Sequence, residues 1–376
     1  VEWQLVDSDA ALRQLLGRAR GRTVVAVDTE FMRRNTFFPE VALVQLCFGG
    51  GATGEDAWLI DPLALGDPSP LAGLLTDPGV EKILHSASED LEVFQHWLGV
   101  LPRPLFDTQR AAALLDLGFG LGYRALVLEL CGVDLPKGET RSDWLQRPLS
   151  QAQCDYAAQD VTWLVPVYRE LHARCVAQHK LAWVLEDGAD AASALGTASD
   201  GYHRRIKSAW KLDACSLGAL AAICQWREDT ARRRNKPRNW IIDDRTCLQL
   251  AEQDPRTREE LGSRVALPQG ALRRYGDELL ALLERQRQQP PEALPAPLPG
   301  PLDAGERQQL RRLKAAAREI ARRLAMAPEA LLQSRDYETL LREASGEPVA
   351  VPRHWLGWRR EQVVEPLRRL LGETPR

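Results

Sequence analysis

The chain has 376 residues, 44% of them hydrophobic and 27% charged, with a formal net charge of −3 and seven cysteines. That length calls for two or three domains. No apolar run is long enough to span a membrane, no basic-then-apolar leader pattern opens the chain, and the cysteines form no Cys-x-x-Cys pair, so a cytoplasmic protein with reduced thiols is expected. The charge is split: residues 1–180 carry 24 Asp/Glu and 16 Lys/Arg, whereas 181–376 carry 28 and 33, the balance expected of an acidic catalytic half followed by a tail that attracts phosphates.

In chain order, strands are predicted near 2–5, 23–31, 41–48, 57–61, 81–85 and 104–107, with helices near 8–19, 69–76, 88–98 and 108–117, so the first half reads as a mixed α/β sheet. The run Val24-Val25-Ala26-Val27-Asp28-Thr29-Glu30-Phe31 ends in two carboxylates one residue apart. In a strand they point to the same face, where two negative charges repel unless a cation offsets them. After the 81–85 strand, Ser88 is expected to cap a helix that carries Asp90 in its first turn. Helices near 123–131 and 150–178 close the domain. Ser150 with Gln153 forms a capping box, and Tyr156 and Asp160 stand at i and i+4 on one face of the helix that follows. Pro166 lies inside that helix, which predicts a kink just past Asp160.

Strand signals fade beyond residue 212. Leu217, Leu220, Ala221 and Cys224 recur at helical spacing, followed by Trp226, the basic run Arg232-Arg233-Arg234-Asn235-Lys236-Pro237-Arg238 with Trp240 close by, and the stretch from Gly270 to Leu280. Residues 290–301 hold six prolines in twelve positions, a stiff extended linker. A second helical unit follows, with Leu310, Leu313, Ala317, Ile320 and Leu324 as its apolar stripe. Ala327-Pro328-Glu329-Ala330-Leu331-Leu332 faintly repeats Lys236-Pro237-Arg238-Asn239-Trp240-Ile241.

Asp28, Glu30, Asp90 and Asp160 supply enough negative charge for two divalent cations, and oxygen-only ligation suits Mg²⁺ or Mn²⁺ rather than zinc. Two such ions about 4 Å apart could clamp the attacking and leaving oxygens of an in-line phosphoryl displacement. Tyr156, protonated near neutrality, could aim the attacking water.

These segments resemble the three motifs of the DEDD superfamily of 3′–5′ exonucleases, in the version whose third motif is Tyr-x-x-x-Asp. The closer resemblance is to the ribonuclease D family. It rests on Leu121-Gly122-Tyr123, Gly132-Val133-Asp134-Leu135-Pro136-Lys137, Arg141-Ser142-Asp143-Trp144, Arg147-Pro148-Leu149-Ser150 and Tyr156-Ala157-Ala158-Gln159-Asp160-Val161. The helical stretch from 212 resembles the HRDC domain shared by RecQ-type helicases and ribonuclease D. The resemblance implies an RNase H-like α/β catalytic domain followed by two all-α HRDC-like domains, and Mg²⁺-dependent removal of 3′ nucleotides in tRNA 3′-end maturation. The organisation expected is an exonuclease domain over 1–180, a helical connection over 181–211, a first HRDC domain over 212–288, a Pro-rich linker over 289–302 and a second HRDC-like domain over 303–376. A monomer acting on tRNA precursors with 3′ trailers is expected, and the catalytic half is expected to fold and cleave short strands without the tail. A repair-type DNA exonuclease and a non-catalytic nucleic-acid scaffold are the alternatives.

Arg232, Arg233, Arg234, Lys236, Arg238 and Trp240 are candidates for nucleic-acid binding, set against a solvated loop whose cations complement a helix C-terminus. Asp107, also at a strand end, reads as a helix cap rather than a metal ligand. Asp155 and Glu89 read as solvated. His85 reads as a polar residue beside the site, and Trp97, Trp144, Trp163 and Trp183 as core.

Overall fold

The computed structural model describes residues 2–49, 57–136, 138–139, 142–196, 201–265 and 267–372. They fall into two compact units. One comprises the chain through Met32, Glu40–Gly196 and the residues from Asp303 on; the other comprises Arg33–Pro39 and Thr197–Leu302.

The first unit is built on six strands, β1 (Trp3–Val6), β2 (Val24–Met32), β3 (Glu40–Cys47), β4 (Ala57–Ile60), β5 (Glu81–Leu84) and β6 (Leu105–Asp107), in the order β1-β4-β3-β2-β5-β6. β3 runs antiparallel to both its neighbours, and the other pairs are parallel. Alternation along β2 divides its side chains between two faces. Val25 and Val27 join Val44 and Leu46 in a core that also takes in Leu12 and Leu15 of α1 (Asp9–Ala19), Leu71 of α2 (Ser69–Thr76) and Leu91 and Phe94 of α3 (Ser88–Leu98).

α4 (Thr108–Leu114) and α5 (Tyr123–Cys131) follow, and α6 (Gln151–Thr162) packs across β2, β3 and β4. The capping box at its start is formed: Ser150 Oγ accepts from the N–H of Gln153, and Gln153 Oε1 accepts from the N–H of Ser150 at 2.9 Å. The expected interruption falls at Trp163, a single residue whose backbone stays α-helical (φ −80°, ψ −17°). α6 stops at Trp163 and α7 (Leu164–Ala177) begins anew, with Pro166 in its first turn, where its missing N–H would be unpaired anyway. α8 (Leu181–Gly196) completes this stretch.

The second unit is helical: α9 (Ala214–Arg234), α10 (Arg238–Ile241), α11 (Asp244–Gln253), α12 (Arg258–Ser263) and α13 (Gln269–Arg287). Its core holds Leu217, Leu220, Ile223, Cys247, Leu250, Leu261 and Leu279, and Phe37 from the β2–β3 connection belongs to it. Part of the Pro-rich stretch lies along this unit, since Leu298 packs against the same core.

The chain then returns to the first unit with α14 (Ala304–Leu324), α15 (Ser334–Ala344) and α16 (Glu365–Gly372). Leu313, Ala317 and Ile320 of the expected stripe are buried, and Leu310 and Leu324 are half-buried. Attachment to the catalytic fold is by buried polar contacts. Lys180 Nζ donates to the carbonyls of Leu114 and Ala325, ending α4 and α14. The Arg359 guanidinium pairs with both oxygens of Asp187 and also donates to the carbonyls of Ala330 and Leu331. Trp358 stacks on Trp183 at 4.6 Å. These contacts argue against a catalytic half that folds without its tail. Among the described residues no helix is long and apolar enough to cross a membrane.

Candidate active site

Asp28 and Glu30 share the face of β2 that α6 covers, and α6 brings Asp160 down beside them. Each of the three offers an oxygen within 4.8 Å of the others. Thr29, between the strand carboxylates, points to the opposite face, where its hydroxyl donates to Asp90 Oδ1 at 2.5 Å. Asp90 is not among the three whose oxygens meet within 4.8 Å, but it stands beside them and its charge is felt at Glu30.

Asp90 stands in the first turn of α3, but Ser88 does not cap that helix, because Ala87 is its N-cap. The cap comes from across the sheet. Asp107 at the end of β6 accepts from the N–H groups of Ser86 and Ala87 at 3.0 Å each, and from those of Gln109 and Arg110 at the start of α4. Its oxygens are filled by backbone donors, which confirms the structural reading of this residue. Asp155 is not merely solvated, since it accepts from Trp3 Nε1 at 2.8 Å and ties α6 to β1. Glu89 is exposed. Trp144 is 2% exposed, and Trp97, Trp163 and Trp183 are half-buried.

A cavity of about 590 Å³ opens over the carboxylates, lined by Asp28, Glu30, Asp160 and Tyr156 and by His85, Tyr123, Arg124, Leu135, Pro136, Gly138, Gln159 and Leu164. Tyr156 lies one turn before Asp160 and shares a side-chain hydrogen bond with it. Burial, and then the charges of Asp160, Glu30 and Asp28, push its phenol upward, so it keeps its proton. Tyr123 was singled out in the sequence only within its motif; its hydroxyl donates to the carbonyl of Gln159 at 2.8 Å and ties α5 to α6. His85 Nδ1 meets Thr108 Oγ1 at 2.9 Å, and that hydroxyl itself donates to the carbonyl of Leu84. Burial lowers the imidazole pKa, against the opposing effects of Asp107 and a backbone bond to Leu121. Lys137 and Arg141, from the family motifs, lie outside the described residues.

Burial raises the pKa of Asp28, Glu30, Asp90 and Asp160. Mutual repulsion adds to this, from Asp160 at Asp28, from Asp28 and then Asp160 at Glu30, and from Asp28 at Asp90. Such a group is ill at ease ionised, and among the described residues no lysine or arginine forms an ion pair with it. An all-oxygen donor set under that strain fits hard divalent ions and not zinc.

The basic run lies in the second unit. Arg232 and Arg238 both bind Glu228, which is 5% exposed, and both guanidinium groups also lie over the Phe37 ring. Arg234 donates to Tyr275 Oη at 2.6 Å, and Arg233 to Thr230 Oγ1 at 3.2 Å. Asn235, in a left-handed conformation at the end of α9, accepts from the N–H groups of Phe37 and Phe38. Lys236 and Trp240 form an exposed cation–π pair at 5.8 Å.

Around the carboxylates of a central strand and of the helix that covers it, with a tyrosine one turn before the last, a family model described as 3′–5′ exonuclease matches residues 3–175. An HRDC domain model matches residues 216–283. Ribonuclease D of Pseudomonas paraeruginosa is 42% identical over 97% of this chain and 96% of its own length, and that of Escherichia coli is 35% identical over the whole of both. The crystal structure of the Escherichia coli enzyme, described as an exoribonuclease involved in structured RNA processing, superposes with a TM-score of 0.90 at 34% identity over the full length of both chains. The chain belongs to the ribonuclease D family. It is a 3′–5′ exoribonuclease that uses divalent metal and acts on RNA, which sets aside the DNA-exonuclease and scaffold alternatives.

Proposed function

We propose that Asp28, Glu30, Asp90 and Asp160 hold two divalent ions, Mg²⁺ or Mn²⁺, and that the enzyme trims 3′ trailers from tRNA precursors, as a monomer in the cytoplasm. The single observation behind the site assignment is the meeting of Asp28, Glu30 and Asp160 oxygens within 4.8 Å in a cavity open to substrate. Bound there, the ions would stabilise charge on the attacking and leaving oxygens of phosphodiester hydrolysis. The chain's own groups do the rest. Tyr156 keeps its proton and orients the attacking water, and the hydrogen bond between Tyr123 and Gln159 holds that helix in place. Leu135, Pro136 and Leu164 form an apolar wall for the terminal nucleotide. The five-part division at 180, 211, 288 and 302 belongs to the same proposal, and the matched HRDC segment supports its third part.

The test uses full-length protein with Mg²⁺ on 3′-labelled RNA, on DNA of the same sequence, and on a tRNA precursor with its trailer. Asp28→Asn, Glu30→Gln, Asp90→Asn and Asp160→Asn are each expected to abolish turnover and leave RNA binding intact. Near wild-type turnover in any one of them would remove that residue from the metal site. Tyr156→Phe should slow turnover by about 10²–10³-fold without changing Mg²⁺ affinity. A tRNA precursor processed no better than unstructured RNA would overturn the substrate assignment and leave the site assignment standing.

A further inference from the structure

α14 carries seven cations, Arg307, Arg311, Arg312, Lys314, Arg318, Arg322 and Arg323, against Glu306 and Glu319. Arg311, Lys314 and Arg318 stand at i, i+3 and i+7, on one face. Arg311 and Arg318 are exposed, and Lys314 is half-buried with its ammonium 5.9 Å from the Tyr337 ring. Lys314 and Arg318 line a cavity of about 510 Å³ together with Ser334, Tyr337 and Phe119.

Phe119 is not part of the helical module. It comes from the α4–α5 connection of the catalytic fold, between Gly118 and Gly120, both at positive φ, and its ring is 53% exposed. Leaving so large an apolar ring in water is unfavourable, and here it lines a cavity that holds two cations, Lys314 and Arg318, against one carboxylate, Glu329.

Two constraints place this cavity close to the catalytic one. Phe119 is four residues from Tyr123, which lines the catalytic cavity, so their Cα atoms are at most about 14 Å apart. The module bearing α14 is also fastened to the catalytic fold, with the N–H of Ala327 bonded to the carbonyl of Ala113 at 2.9 Å in addition to the Lys180 and Arg359 contacts.

We propose that Phe119, Lys314 and Arg318, continued by Arg311, form a subsite for single-stranded RNA just upstream of the nucleotides in the catalytic cavity. The cations take phosphates and Phe119 stacks a base, the pairing by which single strands are gripped without sequence preference. This rests on the cavity over Asp28, Glu30 and Asp160 being the place of hydrolysis.

The experiment uses the full chain with Mg²⁺ and compares a trinucleotide with a long single-stranded RNA. Phe119→Ala should raise KM for the long strand about tenfold and leave kcat and all trinucleotide kinetics unchanged, with Phe119→Trp restoring the wild-type KM. In Lys314→Gln/Arg318→Gln the slope of log KM against log salt on the long strand should flatten by about 1.4, two phosphate contacts' worth. Fluorescence anisotropy of the labelled long strand in EDTA reads the same variants without turnover. A protein that binds as expected there but cleaves nothing overturns the catalytic assignment and upholds the subsite. Unchanged anisotropy in both variants, or equal losses on the trinucleotide and the long strand, overturns the subsite.

Discussion

The two helical modules follow one plan and put their cations to different uses. Each opens with a long helix, α9 or α14, that ends on a left-handed residue, Asn235 or Ala325, and each then has a proline, a short turn and a further helix, α11 or α15. In the first module the arginines of the basic run stay largely exposed but pair within their own fold. Arg227 is fully buried against Asp244 and the carbonyl of Ile242, and Arg232 and Arg238 close on Glu228. In the second, Arg311 and Arg318 face water, and the buried guanidinium of Arg359 fastens the module to α8. A count of basic residues therefore measures charge, not charge available to a ligand. The denser basic run in the sequence is the one more fully engaged in its own fold.

The contrast is easiest to break at Arg359. Arg359→Ala leaves Asp187 buried without its partner and should cost about 3–5 kcal/mol, read by urea unfolding of the full chain. A loss under about 1 kcal/mol would mean that the second module is held on some other way.

A second test sets carboxylates that form no ion pair among the described residues against one that does. Asp28, Glu30, Asp90 and Asp160 have raised folded-state pKa values. Between the unfolded values near 4 and the folded ones, the folded protein holds more protons than the unfolded chain, so its metal-free stability falls as pH rises above about 4. Mg²⁺ should reverse that fall. Asp28→Asn should gain about 1–3 kcal/mol at pH 8 in EDTA and flatten the pH slope in thermal melts. A wild-type slope in that variant would show that Asp28 ionises without strain.

Glu228 carries the opposite sign. Burial works against its ionised form, but the bonds from Arg238 and Arg232 outweigh it and hold the carboxyl below its usual range. Its contribution to stability is present above its unfolded pKa and is lost as pH falls through the folded one. Glu228→Gln should cost about 1 kcal/mol at pH 7, because both arginines are partly exposed and screened, and almost nothing at pH 3. Equal costs at the two pH values would mean that the site works by shape rather than by charge.

The smallest effect is expected at the exposed pair. Lys236→Ala/Trp240→Ala should change affinity for single-stranded RNA by less than about twofold and leave the salt slope unaltered. A slope flatter by about 0.7 would return a phosphate contact to the first module.

Much of this was legible in the residues because the signals were local. The strand carrying Asp28 and Glu30, the capping box at Ser150 and the i, i+4 placement of Tyr156 and Asp160 are each written within a few positions. What escaped the sequence depends on partners far along the chain. Ser88 looked like a cap because nothing near it announces that Asp107 reaches the N–H groups of Ser86 and Ala87. The pairing of Arg232 and Arg238 with Glu228 could not be read because it depends on Glu228 being buried beside Phe37, nearly two hundred residues earlier. Lys180, an ordinary surface residue by sequence, is buried between two helix ends.

Asp107 has a consequence for genetics. Its two oxygens serve four backbone N–H groups and hold the starts of α3 and α4, so a neutral replacement breaks the loop that delivers Asp90. A screen for inactive alleles would recover position 107 alongside 28, 30 and 160. Sorted by phenotype alone, it would enter the roll of active-site residues although its carboxylate is engaged by backbone donors. The alleles separate at lower temperature: cooling rescues a loop that has lost its anchor and does nothing for a missing ligand.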